Sequence, residues 1–323
     1  MKRTGPLIQR LAITCCLSVC ALAGAHDGPE HEIEELTERI SKGGESADLL
    51  LQRAIEYQVL GKNAEAAKDL ERALQFEPES VAAHRELSRA YFALGKTNES
   101  LQTVSRALKI PSDDPDHASL LIARAELLRA RKEYQKALED TNRAIREYPV
   151  NVEWYLLRSQ LQAHSKLKKE RVHGLEDGMK ATGGGVLEAE WIDALIDDGQ
   201  HARALERIES ELRNSRLRSS WLIRRAKAQI ASGRSAEAKS DLEAAVLELN
   251  RRINATSPDP SLLADRGMAR ELLGNKEEAR KDYEQARDKG LTDEWVRERI
   301  QLLKAAGEAD KDSGDITVPD ATL

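Results

Sequence analysis

Gly61 and Gly95 stand 34 residues apart, and so do Gly199 and Gly233, while Gly274 follows Gly233 after 41, one period plus seven. Around these glycines the chain repeats itself. A segment such as "ADLLLQRAIEYQVL" precedes the turn and a second, such as "AEAAKDLERALQF", follows it. Both place apolar residues at three- and four-residue steps, the pattern of an amphipathic helix about three turns long. A helix–turn–helix unit of this size cannot bury its apolar faces alone, so its copies must stack and share interfaces. The side chains suit that arrangement. Aromatic residues make up only 4% of the 323-residue chain, and Ala, Leu, Glu, Lys and Arg dominate it. Such a composition favours helix and fills many small interfaces better than one large core.

The first copy, residues 47–80, carries Leu50, Ala54, Tyr57, Gly61, Ala66, Leu70, Ala73 and Pro78. This order of large, small, aromatic, glycine, small, large, small and proline resembles the tetratricopeptide repeat (TPR). Further copies fall at about 81–114 (Leu87, Tyr91, Gly95, Ala107), 118–151 (Ala125, Ala137, Ala144, Pro149) and 185–218 (Trp191, Leu195, Gly199, Ala204). Another begins near 219 (Ala226, Gly233, Ala238, Ala245), and the last spans 260–293 (Gly267, Gly274, Ala279, Tyr283, Ala286). The small residues recur because two helices must cross closely there, and a larger side chain would overpack the crossing. The resemblance implies an all-α, right-handed α-solenoid of about seven units, the fourth degenerate, with a C-terminal capping helix.

A second regularity is internal to this chain. Arg53 and Asp69 are 16 residues apart, as are Arg124 and Asp140, Arg225 and Asp241, and Arg266 and Asp282. In a hairpin folded at the glycine position each partner lies eight residues from the turn, so the two stand level. Where the arginine is missing the aspartate is missing too: Leu87 faces Thr103, and Trp191 faces Arg207. The pairs are therefore expected to be structural ion pairs that fix hairpin register. The fourth repeat breaks the rule, since Arg158 finds its next suitable aspartate 19 residues on, at Asp177. Three extra residues within "KLKKERV" (166–172) would restore register and put Ala181 at the small position of the second helix. Gly174, Gly178 and "TGGGV" (182–186) then predict a weakened, deformable joint.

The resulting organisation is a signal peptide (1–25), a lead-in with a helix (26–46), repeats 1–4 (47–182), repeats 5–7 (183–291), a capping helix (292–307) and a disordered acidic tail (308–323). In the signal, Lys2, Arg3 and Arg10 precede the apolar run "LAITCCLSVCALAGA", and Ala23-Gly24-Ala25 is a small-residue cleavage site leaving His26 first. The alternative is a lipoprotein signal acylated at Cys20. Removing three basic residues and no acid would take the net charge from −6 to −9. All three cysteines lie in this segment, which excludes disulfides, thiol catalysis and cysteine–zinc sites from the mature chain. An acidic chain without a basic face is not a nucleic-acid binder, and the mature part contains no transmembrane span. The expected location is outside the cytoplasm: periplasmic in a Gram-negative source, secreted otherwise.

Candidate chemistry is sparse. His26, with its free α-amine after cleavage, and His31 in "HDGPEHE" could hold copper or zinc, against the simpler reading of an acidic lead-in. No Cys-x-x-Cys or His-x-x-x-His supports a closed site. The other histidines share no spacing, and no Gly-x-Ser-x-Gly, His-Glu-x-x-His or phosphate loop is present, so neither an enzyme nor a cofactor is expected. What remains is surface. The resemblance places a concave groove on the first helices, lined here by Leu51, Ile55, Arg85, Arg89, Phe92, Ile122, Glu126, Arg129, Leu156, Ile196, Ile223, Lys227, Ile230 and Met268. Among these, Arg85, Arg89, Phe92, Ile122, Arg129 and Leu156 form the candidate protein-binding groove, because apolar side chains beside cations suit an extended peptide. The TPR clamp for chaperone carboxyl tails has Lys and Asn where Leu51 and Ile55 stand here. The function expected is an exported, non-catalytic scaffold that binds a protein or peptide. The alternatives are a metal-binding accessory protein using His26 and His31, or a lipid-anchored envelope assembly factor.

Overall fold

A computed structural model describes residues 28–111, 114–254 and 256–312. The signal segment, His26 and residues 313–323 lie outside the described residues. Among the described residues the chain forms sixteen α-helices and no strand. They are α1 (Pro29–Gly43), α2 (Ala47–Val59), α3 (Asn63–Phe76), α4 (Val81–Ala93), α5 (Thr97–Ala107), α6 (Asp114–Ala130), α7 (Tyr134–Glu147) and α8 (Val152–His164). There follow α9 (Lys168–Thr182), α10 (Glu188–Asp197), α11 (His201–Asn214), α12 (Ser219–Ala231), α13 (Ser235–Arg252), α14 (Pro260–Leu272), α15 (Lys276–Asp288) and α16 (Glu294–Asp312). The chain divides within α6 into two compact units, Met1–Leu127 and Leu128–Leu323.

Each repeat is a hairpin, and its ends are built the same way each time. First helices open on a side-chain cap where one is available. Ser46 and Ser80 accept from the amides of Leu49 and Ala83, and Asn151 and Asp259 from those of Glu153 and Ser261. Such caps satisfy amides that the first helical turn leaves without partners. They end in a left-handed residue. At Gly61 (φ 71°) the Gly61 amide returns to the Gln58 carbonyl and the Lys62 amide to the Tyr57 carbonyl, the paired closure that terminates many helices. Gly95, Gly199, Gly233 and Gly274 do the same, but repeats three and four place Lys132 (φ 62°) and Lys166 (φ 58°) in this conformation.

Lys166 corrects the expected register of the fourth repeat. With the turn at Lys166, no three-residue insertion exists and α9 starts on schedule. Arg158 Nη2 donates to the carbonyl of Gly174, 16 residues on, at 2.6 Å, and does not pair with Asp177. The small position is Gly178, not Ala181. Neither glycine breaks the helix, because each makes room. A Cβ on Gly174 would lie 2.9 Å from Arg158 Nη2, and one on Gly178 would lie 2.7 Å from both Tyr155 Cδ1 and Leu187 Cδ1. Beyond Thr182 the chain makes a short 3-10 turn and enters α10, which packs on α9. Arg171 ties them together. It stands where other repeats have Ala or Ser, is buried, and donates to Ser159 Oγ (2.9 Å), Glu190 Oε1 (2.8 Å) and Asp197 Oδ2 (2.5 Å).

The remaining interfaces are small and apolar, as the composition requires. In the first unit Ala54, Ala66, Leu70, Ala83, Leu87 and Ala90 form one cluster. In the second, Leu263, Ala279, Tyr283, Ala286, Val296 and Ile300 seat α16 against the last hairpin. Gly267 is required there, since its Cβ would meet the Tyr283 ring at 2.8 Å. The cap is longer than expected: α16 runs through Asp312, five residues into the segment predicted to be disordered.

Candidate protein-binding surface

Three of the 16-residue spacings bring charges together as two-pronged pairs. Arg53 Nε and Nη2 donate to the two oxygens of Asp69 at 2.7 and 2.8 Å. Arg225 reaches Asp241 at 2.7 and 2.6 Å, and Arg266 reaches Asp282 at 3.0 and 2.6 Å. These hydrogen bonds hold the Arg53 and Arg225 guanidinium groups above their ordinary range. All three aspartates are buried, as is Asp140 in the third repeat. The spacing did not foretell the third prong. Each arginine also uses Nη1 on the residue 16 places before it: Arg53 on Thr37 Oγ1, Arg225 on Glu209 Oε1, Arg266 on Asn250 Oδ1. One guanidinium thus joins the second helix of one repeat to both helices of the next.

Apolar side chains are exposed on second helices (Phe76, Leu247) as well as on the first helices, which are the face that the repeat resemblance implicates. The first helices touch one another directly, α2 with α4 in the first unit and α10 with α12 and α12 with α14 in the second. In the first unit Phe92 is 45% and Ile55 40% exposed, a large apolar area for side chains that could have been packed. Arg85 and Arg89 share this surface but are not independent cations. Glu86, only 5% exposed, accepts from Arg85 Nε at 3.3 Å and from Arg89 Nη1 at 3.0 Å. Arg85 also lies 3.8 Å from Asp116. The sequence reading missed Glu86, whose position between two arginines was the available signal. Ile122 is half-buried on α6.

In the second unit Arg129 and Leu156 are half-buried, and Arg129 Nε is buried without a hydrogen-bond partner. Ile196 and Ile223, expected on the groove, are core residues instead. Lys227 Nζ (2.8 Å) and Arg224 Nε (3.0 Å) both donate to Asp193. Burial acts to raise the Asp193 carboxyl, but Lys227 and Arg224 outweigh it and hold it below the usual range. A neighbouring carboxyl, Asp265, is pushed up by burial. With Met268 these side chains line a cleft of about 60 Å³, too small for more than a terminal group. Among the described residues no three His, Cys, Asp or Glu side chains are placed to hold a metal, and no helix is long and apolar enough to cross a membrane.

Stacked antiparallel helix pairs, closed by left-handed turns and joined edge to edge, define an all-α solenoid. The chain carries tetratricopeptide repeats: models of that repeat match residues 60–124 and 260–286. No curated protein matches the sequence significantly. Among solved structures, a tetratricopeptide repeat protein from Parabacteroides merdae shares 20% identity and superposes with a TM-score of 0.57, over 85% of this chain and 99% of that one. Yeast Tom70 shares 17% identity with a TM-score of 0.51, over 89% of this chain and 60% of Tom70. At these identities the likeness is one of fold. Repeats of this family build protein-interaction scaffolds, and proteins are the class of partner they imply.

Proposed function

We propose that this protein is an exported, non-catalytic scaffold whose first-helix face holds an extended segment of a partner protein. The observation that carries the reading is the surface of α4, where exposed Phe92 stands beside Arg85 and Arg89 over a single buried carboxylate. Both guanidinium groups engage Glu86, and Asp116 lies only at 3.8 Å from Arg85, so the five N–H donors on each are not used up and can meet an acidic group on the incoming segment, while Phe92 and Ile55 offer apolar anchors. Arg and aromatic side chains are those that most often dominate binding energy. Ile122 of α6 belongs to this first-unit surface on the same grounds, while Arg129 and Leu156 are a separate candidate patch within the second unit. An Arg85→Glu/Phe92→Ala variant with an unchanged helical spectrum should capture fewer envelope proteins than the natural chain. Capture of the same set by both would end this assignment.

Export rests on the basic, apolar and small-residue order of residues 1–25, with delivery to the periplasm of a Gram-negative source or to the medium otherwise. N-terminal sequencing of the mature protein should begin at His26. Retention of residues 1–25, or a lipid on Cys20, would overturn it.

A further inference from the structure

The second unit contains a cavity of about 430 Å³ bounded by the end of α6, the following turn, Gln160 of α8 and the start of α16. Its size is that of a ligand pocket, far beyond a single oxyanion. Arg129, Lys132 and Arg297 line it, facing Asp293 and Glu294. Among the described residues none of these five side chains forms an ion pair or side-chain hydrogen bond, although acids and cations line the same cavity. Arg129 Nε is moreover buried with no acceptor at all, an arrangement that ordinarily needs a reason in a folded protein.

The charges do not cancel. Three cations oppose two acids, and both acids sit at the beginning of α16, where Asp293 supplies the carbonyl that accepts from the Arg297 amide. The two carboxylates stand at the start of α16, near the positive end of its dipole, and Arg129 stands in the last turn of α6, near the negative end of that helix. These dipoles act alike on both signs, so the excess of one cation over the acids, with Arg129 Nε lacking an acceptor, leaves the cavity with a net positive lining. Elsewhere in the unit a similar combination resolves itself: Arg207 pairs with Glu188 and Glu211, and Arg280 with Glu277 and Glu284.

We infer that this cavity binds an acidic peptide segment of a protein partner, with closely spaced carboxylates bridging Arg129 and Lys132 on one wall to Arg297 on the other. Guanidinium–carboxylate contacts of this kind are the strong, directional ones. A nucleic acid is disfavoured, because a long phosphate chain needs an extended basic face, whereas the three cations here are confined to one cavity. This inference rests on the scaffold reading but uses a surface apart from Phe92, so the two fail separately.

The test is fluorescence anisotropy on the full chain at low salt, with a fluorescein-labelled hexaglutamate peptide capped at both ends and a hexaglutamine peptide as control. Hexaglutamate should bind at least about tenfold more tightly than hexaglutamine, the change one charge-assisted contact can supply. Arg129→Gln/Arg297→Gln should weaken it at least about tenfold, and Lys132→Gln, in an exposed turn where folding is not at stake, should weaken it severalfold. Glu294→Gln removes a competing carboxylate and should tighten it. Arg143→Gln, an exposed residue paired with Glu147, should leave it unchanged. Equal binding of the two peptides, no binding of hexaglutamate, or failure of Lys132→Gln and Glu294→Gln to move affinity in opposite directions overturns the assignment.

Discussion

Replacing Arg225 by Ala removes three charge-assisted contacts at once, and their surroundings decide how much each matters. Asp241 has a side chain 9% exposed and loses both its donors, while Glu209 is 48% exposed and loses one. Breaking a buried pair by deleting one partner costs about 3–5 kcal/mol, because the remaining charge is stranded. Arg225 is itself 21% exposed, so water can partly replace it and the lower end, about 3 kcal/mol, is expected. The Glu209 contact adds no more than about 1 kcal/mol, as for other exposed pairs. Urea unfolding followed by far-ultraviolet circular dichroism measures this directly. In a cycle with Asp241→Ala, the double variant should be less damaged than the sum of the singles by about 1–3 kcal/mol. Glu209→Gln alone should change stability by less than about 1 kcal/mol. Additivity of Arg225→Ala and Asp241→Ala within about 0.5 kcal/mol would refute the argument, since residues that do not interact behave that way.

Lys166→Gly should stabilise by about 0.5–1 kcal/mol, since a side chain in the left-handed region is strained by more than glycine's extra chain entropy costs; a loss of stability would show that the Lys166 side chain holds something. Gly178→Ala should destabilise by about 1–3 kcal/mol through overpacking against Tyr155 and Leu187, measured as a fall in urea midpoint, and a neutral result would contradict the close approach. The half-buried Tyr91 phenol, pushed up to about 12 first by burial and then by its hydrogen bond to Glu71, should ionise well above the ordinary tyrosine range in an ultraviolet titration. Because its folded value lies above the ordinary 10.0, its contribution to stability is complete below about pH 10 and disappears as pH rises towards 12. Tyr91→Phe should flatten that part of the alkaline stability profile.

Much of this architecture was legible because the turn demands an unusual backbone conformation that glycine adopts freely. Five repeats advertise that position with glycine. Lys132 and Lys166 adopt the same conformation without the residue that signals it, so the third and fourth repeats lacked their landmark. The displaced Arg158–Asp177 expectation followed from that. Once Lys166 is recognised as the turn, Arg158 and Gly174 fall at the usual spacing, with a backbone carbonyl standing in for the aspartate. Surface assignments were less legible for a different reason. Ile196 and Ile223 lie on the helix face read as groove, yet the closeness of neighbouring helices buries them, a property of packing that one helix's periodicity does not contain. Glu86 likewise matters only because side chains from adjacent turns converge on it.

The three-way arginine has a consequence for how the chain comes apart. A stack in which each hairpin contacts only its neighbours behaves as a linear array of coupled units. Arg53, Arg225 and Arg266 raise that coupling, since none can keep its hydrogen bonds if either adjoining hairpin opens. The α4–α5 hairpin has no such residue. Leu87 and Thr103 occupy the positions, and α4 and α5 are joined instead by neutral contacts between Ser88 and Ser100. Local opening in the first unit therefore has its lowest barrier at the hairpin that presents Phe92, and a partner clamped there would suppress amide exchange in α4 and α5 before it changed exchange in α2 and α3.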